Sequence, residues 1–461
     1  MMRFTDLKRE AGFVFGHRQI KLTLLVVFLL STVSLWSGYA EMQEQQATIE
    51  RLLEKDQIER EAVITHQSNY GMVAYYAFHL TYAPPSPLAF AAVGERDVFP
   101  WKHRIRMLAL EGQIYESDTD NPELAFLGRF DFAFVTSVLL PLFIILLLYD
   151  LKAKEREARR FELLNVTARN AHAIWSARAL VTLVPLALVT LIPFVFFGLV
   201  NGASLPSILT VCAIVIGNIA LWSGIVLSIG AAKRFANFSA THLASIMLGV
   251  WIVTTVVVPV TAHTLINAVV ETPEGGDIVL TQREAVNSAW DKPVEATWRA
   301  FIATHPQWAD YTTFNPERDS SFNWKWYYAF QQAGDQAASE LSQGYQAATL
   351  QQDTIASYVA LLSPSLLSQR LLSSAANTDV KAMVGYENDV RAFHQALRKF
   401  YYYHLFKAPE FSQESFEALP QFTPSIKTSQ EKKNENSLGK NLTCSQYIGI
   451  TQYIGFSTKR K

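Results

Sequence analysis

The sequence predicts a mainly α-helical, polytopic membrane protein with about five transmembrane helices and two mostly helical external domains. Three observations carry that prediction. Half of the 461 residues are hydrophobic and only 18% are charged, against about 25% charged in an average soluble protein, so the departure is a deficit of charge. The apolar residues are gathered into five runs, each about as long as a helix must be to cross a hydrocarbon core. The short segments joining these runs carry Lys and Arg very unequally. The mean hydropathy of +0.11 is therefore an average over two populations, and a wholly soluble chain is excluded.

Residues 1–21 hold Arg3, Lys8, Arg9, Arg18 and Lys21 and read as an amphipathic helix at the membrane interface. Residues 22–39 are the first span. Gly38 and Ala40 also fit a small-residue cleavage site, but the basic segment ahead of them is longer than the n-region of a signal peptide, so a retained span is expected. Residues 40–131 form the first external domain, which opens with EMQEQQATIERLLEKDQIEREA. Ile49, Leu52, Leu53, Ile58 and Val63 there make an apolar stripe of helical period. We expect a helix that extends the first span and packs on its own domain, since two heptads are few for a coiled coil. Later in this domain Asp118, Asp120 and Asn121 begin like a calcium loop. Glu123 stands where such a loop needs Gly, and Arg129 where it needs Glu, so a turn is expected.

Residues 132–149 are the second span and 150–178 a basic connecting segment. The third, fourth and fifth spans are 179–200, 208–229 and 243–260. None of the five contains Lys, Arg, Asp or Glu, and Pro141, Pro185, Pro193 and Pro259 are of a kind tolerated where neighbouring helices satisfy the freed carbonyls. Lys152, Lys154, Arg156, Arg159, Arg160, Arg169 and Arg178 follow the second span, Lys233 and Arg234 follow the fourth, and residues 201–207 after the third have no charge at all. Because Lys and Arg are retained on the cytoplasmic side, all four short segments agree on a cytoplasmic N-terminus. His263, just past the fifth span, reads as interfacial. Residues 261–424 are the second external domain, whose aromatic clusters at 322–330 and 400–406 are expected chiefly as core.

The chemistry of enzymes is missing. There is no G-x-x-x-x-G-K-[ST] phosphate loop, no H-E-x-x-H, no C-x-x-C pair and no G-x-S-x-G elbow. Spans without ionisable groups argue against an ion-coupled carrier, and 40 basic against 41 acidic residues give no case for nucleic acid. Two cysteines, Cys212 and Cys444, are too few for a disulfide framework. The informative segment is 150–178. Its charged start is followed by Phe161, Leu163, Leu164 and Val166, which fits either a plain basic loop or a short surface helix offering an apolar knob to a partner.

Three stretches resemble the permease subunits of the ABC type 2 transporter family. Residues 3–21 are similar to the family's interfacial elbow helix. Glu155, Arg156, Glu157, Arg160, Leu163 and Leu164 resemble the E-R-E...L-L stretch after the second span, with Ala158-Arg159 where the family commonly has Gly-Thr. Leu362-Ser363-Pro364, Gln369-Arg370, Thr378-Asp379, Tyr386, Phe393-His394 and Leu419-Pro420 resemble the second external domain of an uncharacterised branch, akin to permease components linked to multicopper enzyme maturation. The resemblance implies an inner-membrane transporter half, paired with a second permease half and driven by a separate ABC ATP-binding subunit, with ATP bound by that partner and no cofactor in this chain. It also implies that Glu155, Arg156, Glu157, Arg160, Leu163 and Leu164 make the ATPase-coupling contact. A membrane-anchored assembly protein, with external domains that bind a partner and no transport, is the competing reading. The resemblance further implies a sixth span after Pro424. Residues 425–461 instead are polar, with the echo SQYIGI and TQYIGF, and are expected to be a disordered tail in its place.

Overall fold

The computed structural model describes residues 4–116, 130–167, 171–235, 237–311, 322–407 and 410–425. The turn expected at 117–123 and residues 426–461 of the tail lie outside the described residues. Helix α1 (Phe4–Gly16) ends at His17, whose extended backbone (φ −87°, ψ 122°) turns the chain into α2 (Arg18–His66). The interfacial helix thus stops short of residue 21. With no proline and a single glycine, α2 continues unbroken for 49 residues. Its far half buries Met42, Gln45, Ile49 and Asp56, a face of helical spacing that is half polar. Gln45 Oε1 accepts from Arg96 Nη2 at 2.7 Å, and Asp56 Oδ2 from Arg60 Nη1 at 2.6 Å. The stripe expected from Ile49 to Val63 is only partly this face, and Ile58 is exposed.

Next come α3 (Tyr70–Tyr76), an antiparallel ladder of β1 (His79–Tyr82) with β2 (Lys102–Ile105) that sets His79 opposite Ile105, and α4 (Glu111–Tyr115). Between the strands, residues 88–93 are non-helical for the most part and fully buried against the spans. Buried irregular backbone is tolerated in such a place only when its polar groups are met. Here Ala133 N–H donates to Ala91 O at 2.9 Å, Thr378 Oγ1 to Ala92 O at 2.9 Å, and Val93 N–H to Asp131 Oδ2 at 2.9 Å.

Helix α5 (132–148) leads to the short helices α6 (Ala153–Glu157) and α7 (Phe161–Thr167), then to α8 (Ala171–Val200), α9 (Leu205–Ala231) and α10 (Ala240–Val269). With the apolar half of α2, the segments Phe132–Glu157, Ile174–Val200, Leu205–Ala231 and Ala240–Val269 make five helices among the described residues that are long and apolar enough to cross a membrane. The chain is a mainly α-helical membrane protein. Two of these helices contain a π turn, Val135–Leu139 in α5 and Val253–Val257 in α10, and each lies just ahead of a proline, Pro141 or Pro259. The proline ring would meet the carbonyl four residues earlier, and the widened turn relieves that clash. Side chains from neighbouring elements meet carbonyls in the first turn: Asn218 Nδ2 donates to Thr136 O at 2.8 Å and Trp251 Nε1 to Val138 O at 3.2 Å.

The second long segment supplies α11 (Gly275–Ser288), α12 (Val294–Thr304), α13 (Trp324–Val359), α14 (Pro364–Ala376) and α15 (Val380–Phe406). The two long segments, read from sequence as two modules, build one head domain around one core. Val73, Ala74, Ile105 and Leu110 from the first pack with Phe301, Tyr328, Val390 and Tyr401 from the second. Polar contacts reinforce the merger at α4, where Leu110 N–H donates to Asp335 Oδ1 at 2.7 Å and Gly112 N–H to Gln282 Oε1 at 2.8 Å. Asp335 Oδ2 also accepts from the buried Arg398 at 2.5 Å, and Arg391 Nη2 donates to Glu111 Oε2 at 2.9 Å. Neither segment could leave without exposing unpaired buried charge. The aromatic clusters serve this core: Tyr328, Phe330, Tyr401 and Tyr402 are buried, while Tyr403 is exposed.

Helix α14 joins head to bundle. It packs on α9 and on both π turns, buries Leu372 and Ala376 in the core of the spans, and pairs Ser365 Oγ with Thr255 Oγ1 at 2.9 Å.

Candidate functional site

At the end of the bundle away from the head domain, α6 and α7 lie between the second and third spans. Helix α6 ends in a Schellman turn, in which Arg160 N–H donates to Glu155 O and Arg159 N–H to Arg156 O, both at 2.9 Å. The turn needs a left-handed residue, and Arg159 supplies it with φ of 56°. This puts Arg160 back over Glu155, so that Nε donates to Glu155 Oε2 at 2.9 Å.

Glu155 is the centre of a four-part ionic chain. Its Oε1 accepts from Arg178 Nη1 at 2.9 Å, and Arg178 Nε donates to Glu10 Oε2 at 2.6 Å. The chain therefore runs from α1 through α8 to α6 and on to α7. Arg178 is sandwiched by rings, its guanidinium 4.5 Å from the Phe13 centroid and 5.4 Å from that of Trp175. Trp175 in turn stacks on Phe161 at 5.6 Å, and the guanidinium of Arg156 lies 5.7 Å from the same Phe161 ring. Glu157 points to another element: its Oε1 accepts from Ala240 N–H at 2.8 Å, at the start of α10, where the helix dipole favours an anion.

The six residues read as a contact surface thus divide. The Glu155 side chain is only 6% exposed, so it cannot face a partner; together with Arg160 it fixes the turn. Glu157 ties α6 to the last span, and Arg156 covers Phe161. Leu163 is 63% exposed and Leu164 half-buried, whereas Val166, from the same patch, is 84% exposed. The exposed apolar surface is therefore Leu163 with Val166 rather than the acidic pair. Glu10 and the bridging role of Arg178 are not visible from local motifs. The available signals were an acid inside the basic segment 1–21 and an Arg at the mouth of a span, two residues separated by too much sequence for spacing to link them.

Elsewhere, His263 is exposed with Nε2 3.1 Å from Asn267 Nδ2, and among the described residues no three His, Cys, Asp or Glu are placed to hold a metal.

These features define the class, a polytopic helical membrane protein with a head domain at one end of its spans and a braced pair of short helices at the other. A family model described as "Domain of unknown function (DUF3526)" matches residues 278–425, the stretch from α11 through α15. No curated protein and no solved structure matches the chain.

Proposed function

We propose that the chain is the membrane-spanning permease subunit of an ABC transporter, acting in export across a bacterial inner membrane beside a second permease half. Its N-terminus and the α6–α7 segment face the cytoplasm, and a separate ATP-binding subunit docks on that segment. The observation that carries this reading is the ionic chain Glu10–Arg178–Glu155–Arg160, which braces α6 and α7 against α1 and α8 beneath an exposed Leu163 and Val166. A force applied to the knob reaches α8 through Arg178 and α10 through Glu157 without first bending a loop. Closure of an ATPase dimer then moves these helices as a rigid body.

Replacing Leu163 and Val166 together by Asp tests the docking. Burying one Leu is worth about 1.5–3 kcal/mol, so co-purification with a co-expressed ABC ATP-binding subunit should fall at least about tenfold. Unchanged association would sink the assignment.

A further inference from the structure

We infer that the chain binds one anionic phospholipid in a cavity between α1, α2, α5 and α8 at the basic end of the bundle. The cavity measures about 580 Å³, within the roughly 300–1,000 Å³ of small-molecule sites. Its walls are divided by chemistry. Ile20, Leu22 and Leu147 give an apolar side at the ends of spans, and Lys154, Arg160 and Tyr149 give a polar side at the rim. A ligand that fits must be apolar at one end and anionic at the other, and must be reached from the edge of the bilayer.

The charges decide the sign of the headgroup. Of the two carboxylates lining the cavity, Glu155 is held by Arg178 and Arg160, and Asp150 lies 3.8 Å from Lys154 Nζ. Arg178 is taken up by Glu10 and Glu155, but the Lys154 and Arg160 side chains at the rim are each 56% exposed, so both retain donors for a phosphodiester. Basic pockets between spans bind anionic lipid headgroups on this principle. The amphipathic α1 closes the cavity with Phe13 and Val14. A bound lipid would thus touch the same helix that Glu10 anchors to Arg178. The inference rests on the chain spanning a membrane and not on the transport reading.

The test uses the full chain in nanodiscs of phosphatidylcholine with and without phosphatidylglycerol, with native mass spectrometry counting lipid retained after transfer to detergent. One phosphatidylglycerol should be retained by the unaltered chain. Lys154→Gln, at about 1 kcal/mol per surface cation, should lower retention about fivefold, and Ile20→Trp, which fills the apolar side, should abolish it. Lys21→Gln, an exposed cation outside the cavity, should leave it unchanged. Equal loss with Lys21→Gln, or full retention with Ile20→Trp, would place the lipid on the general surface and overturn the inference. Displacement by inorganic phosphate as effective as by phosphatidylglycerol would also overturn it, since the site would then read phosphate alone. Lys154→Gln alters an exposed side chain, so it remains decisive if the tryptophan variant fails to fold.

Discussion

Arg178 shows how much one side chain can hold. It is buried, bonds Glu10 and Glu155 at once, and fills the gap between Phe13 and Trp175. Removing one member of a buried ionic group costs about 3–5 kcal/mol, because the remaining charges stay desolvated without partners. Arg178→Gln should therefore lower the thermal unfolding midpoint in detergent and open the α6–α7 segment to trypsin, which cleaves at Arg156, Arg159 and Arg160. A protease pattern identical to that of the unaltered chain would show that the ionic chain does not brace these helices. Arg159 makes the opposite case. Its φ of 56° is one that a side chain adopts at a cost of about 1–2 kcal/mol and glycine adopts freely. Arg159→Gly should raise stability by about 1 kcal/mol with the Arg160–Glu155 contact retained, readable as a rise in the same midpoint.

Between elements, the decisive contacts are made by small residues and by irregular backbone. A Cβ on Gly38 would lie 2.0 Å from the carbonyl oxygen of Phe90, so α2 passes directly over the buried segment 88–93. Gly38→Ala should cost several kcal/mol, since the obstacle is backbone held by Asp131 and Thr378 and cannot rotate away. The check is expression and midpoint compared with Gly12→Ala, where a Cβ meets nothing. This packing role accounts for a glycine that in sequence also looked like part of a cleavage site. The same contrast explains what was legible beforehand. Runs of Leu, Val and Ile declare a span locally, because burial in lipid demands only apolarity and length. The buried face of α2 was not legible, because Gln45 and Asp56 lie on it and their partners from elsewhere in the chain, Arg96 and Arg104, make sense of them only after folding. Residues 88–93 gave no signal either, and nothing in the Ser-rich α14 marked it for burial against the spans. They are buried by contact with spans far away in sequence, and their composition of Ala, Ser and Leu suits many environments. At the basic end the motif residues were found, but their division into brace and knob depends on Glu10 and Arg178.

For the whole molecule the consequence of one shared head core is that its stability becomes a single property, to which both long segments contribute. Three buried histidines in that core, His79, His103 and His394, make it sensitive to acid. Burial, with Arg60 nearby, pushes His79 down to about 3; burial, with Arg391 and Lys102, pushes His103 down to about 4. Burial and Arg398 also hold His394, which bonds Arg106 O at 3.1 Å, well below the usual range. In the unfolded chain each takes up a proton below about pH 6.5. The unfolded state then binds more protons than the folded one, so stability is undiminished above pH 6.5 and falls as pH drops toward 4, by about 1.4 kcal/mol per pH unit for each histidine. Burial raises Asp335 and Glu95, and protonating them opposes this loss. The unfolding midpoint should therefore be lower at pH 5 than at pH 7. His103→Phe keeps a ring against Tyr386, on which His103 stacks at 5.7 Å, and removes one titrating group, so it should reduce the difference between the two pH values. An equal difference in the variant would mean that His103 is not buried neutral in the folded head domain, and that the acid sensitivity arises elsewhere.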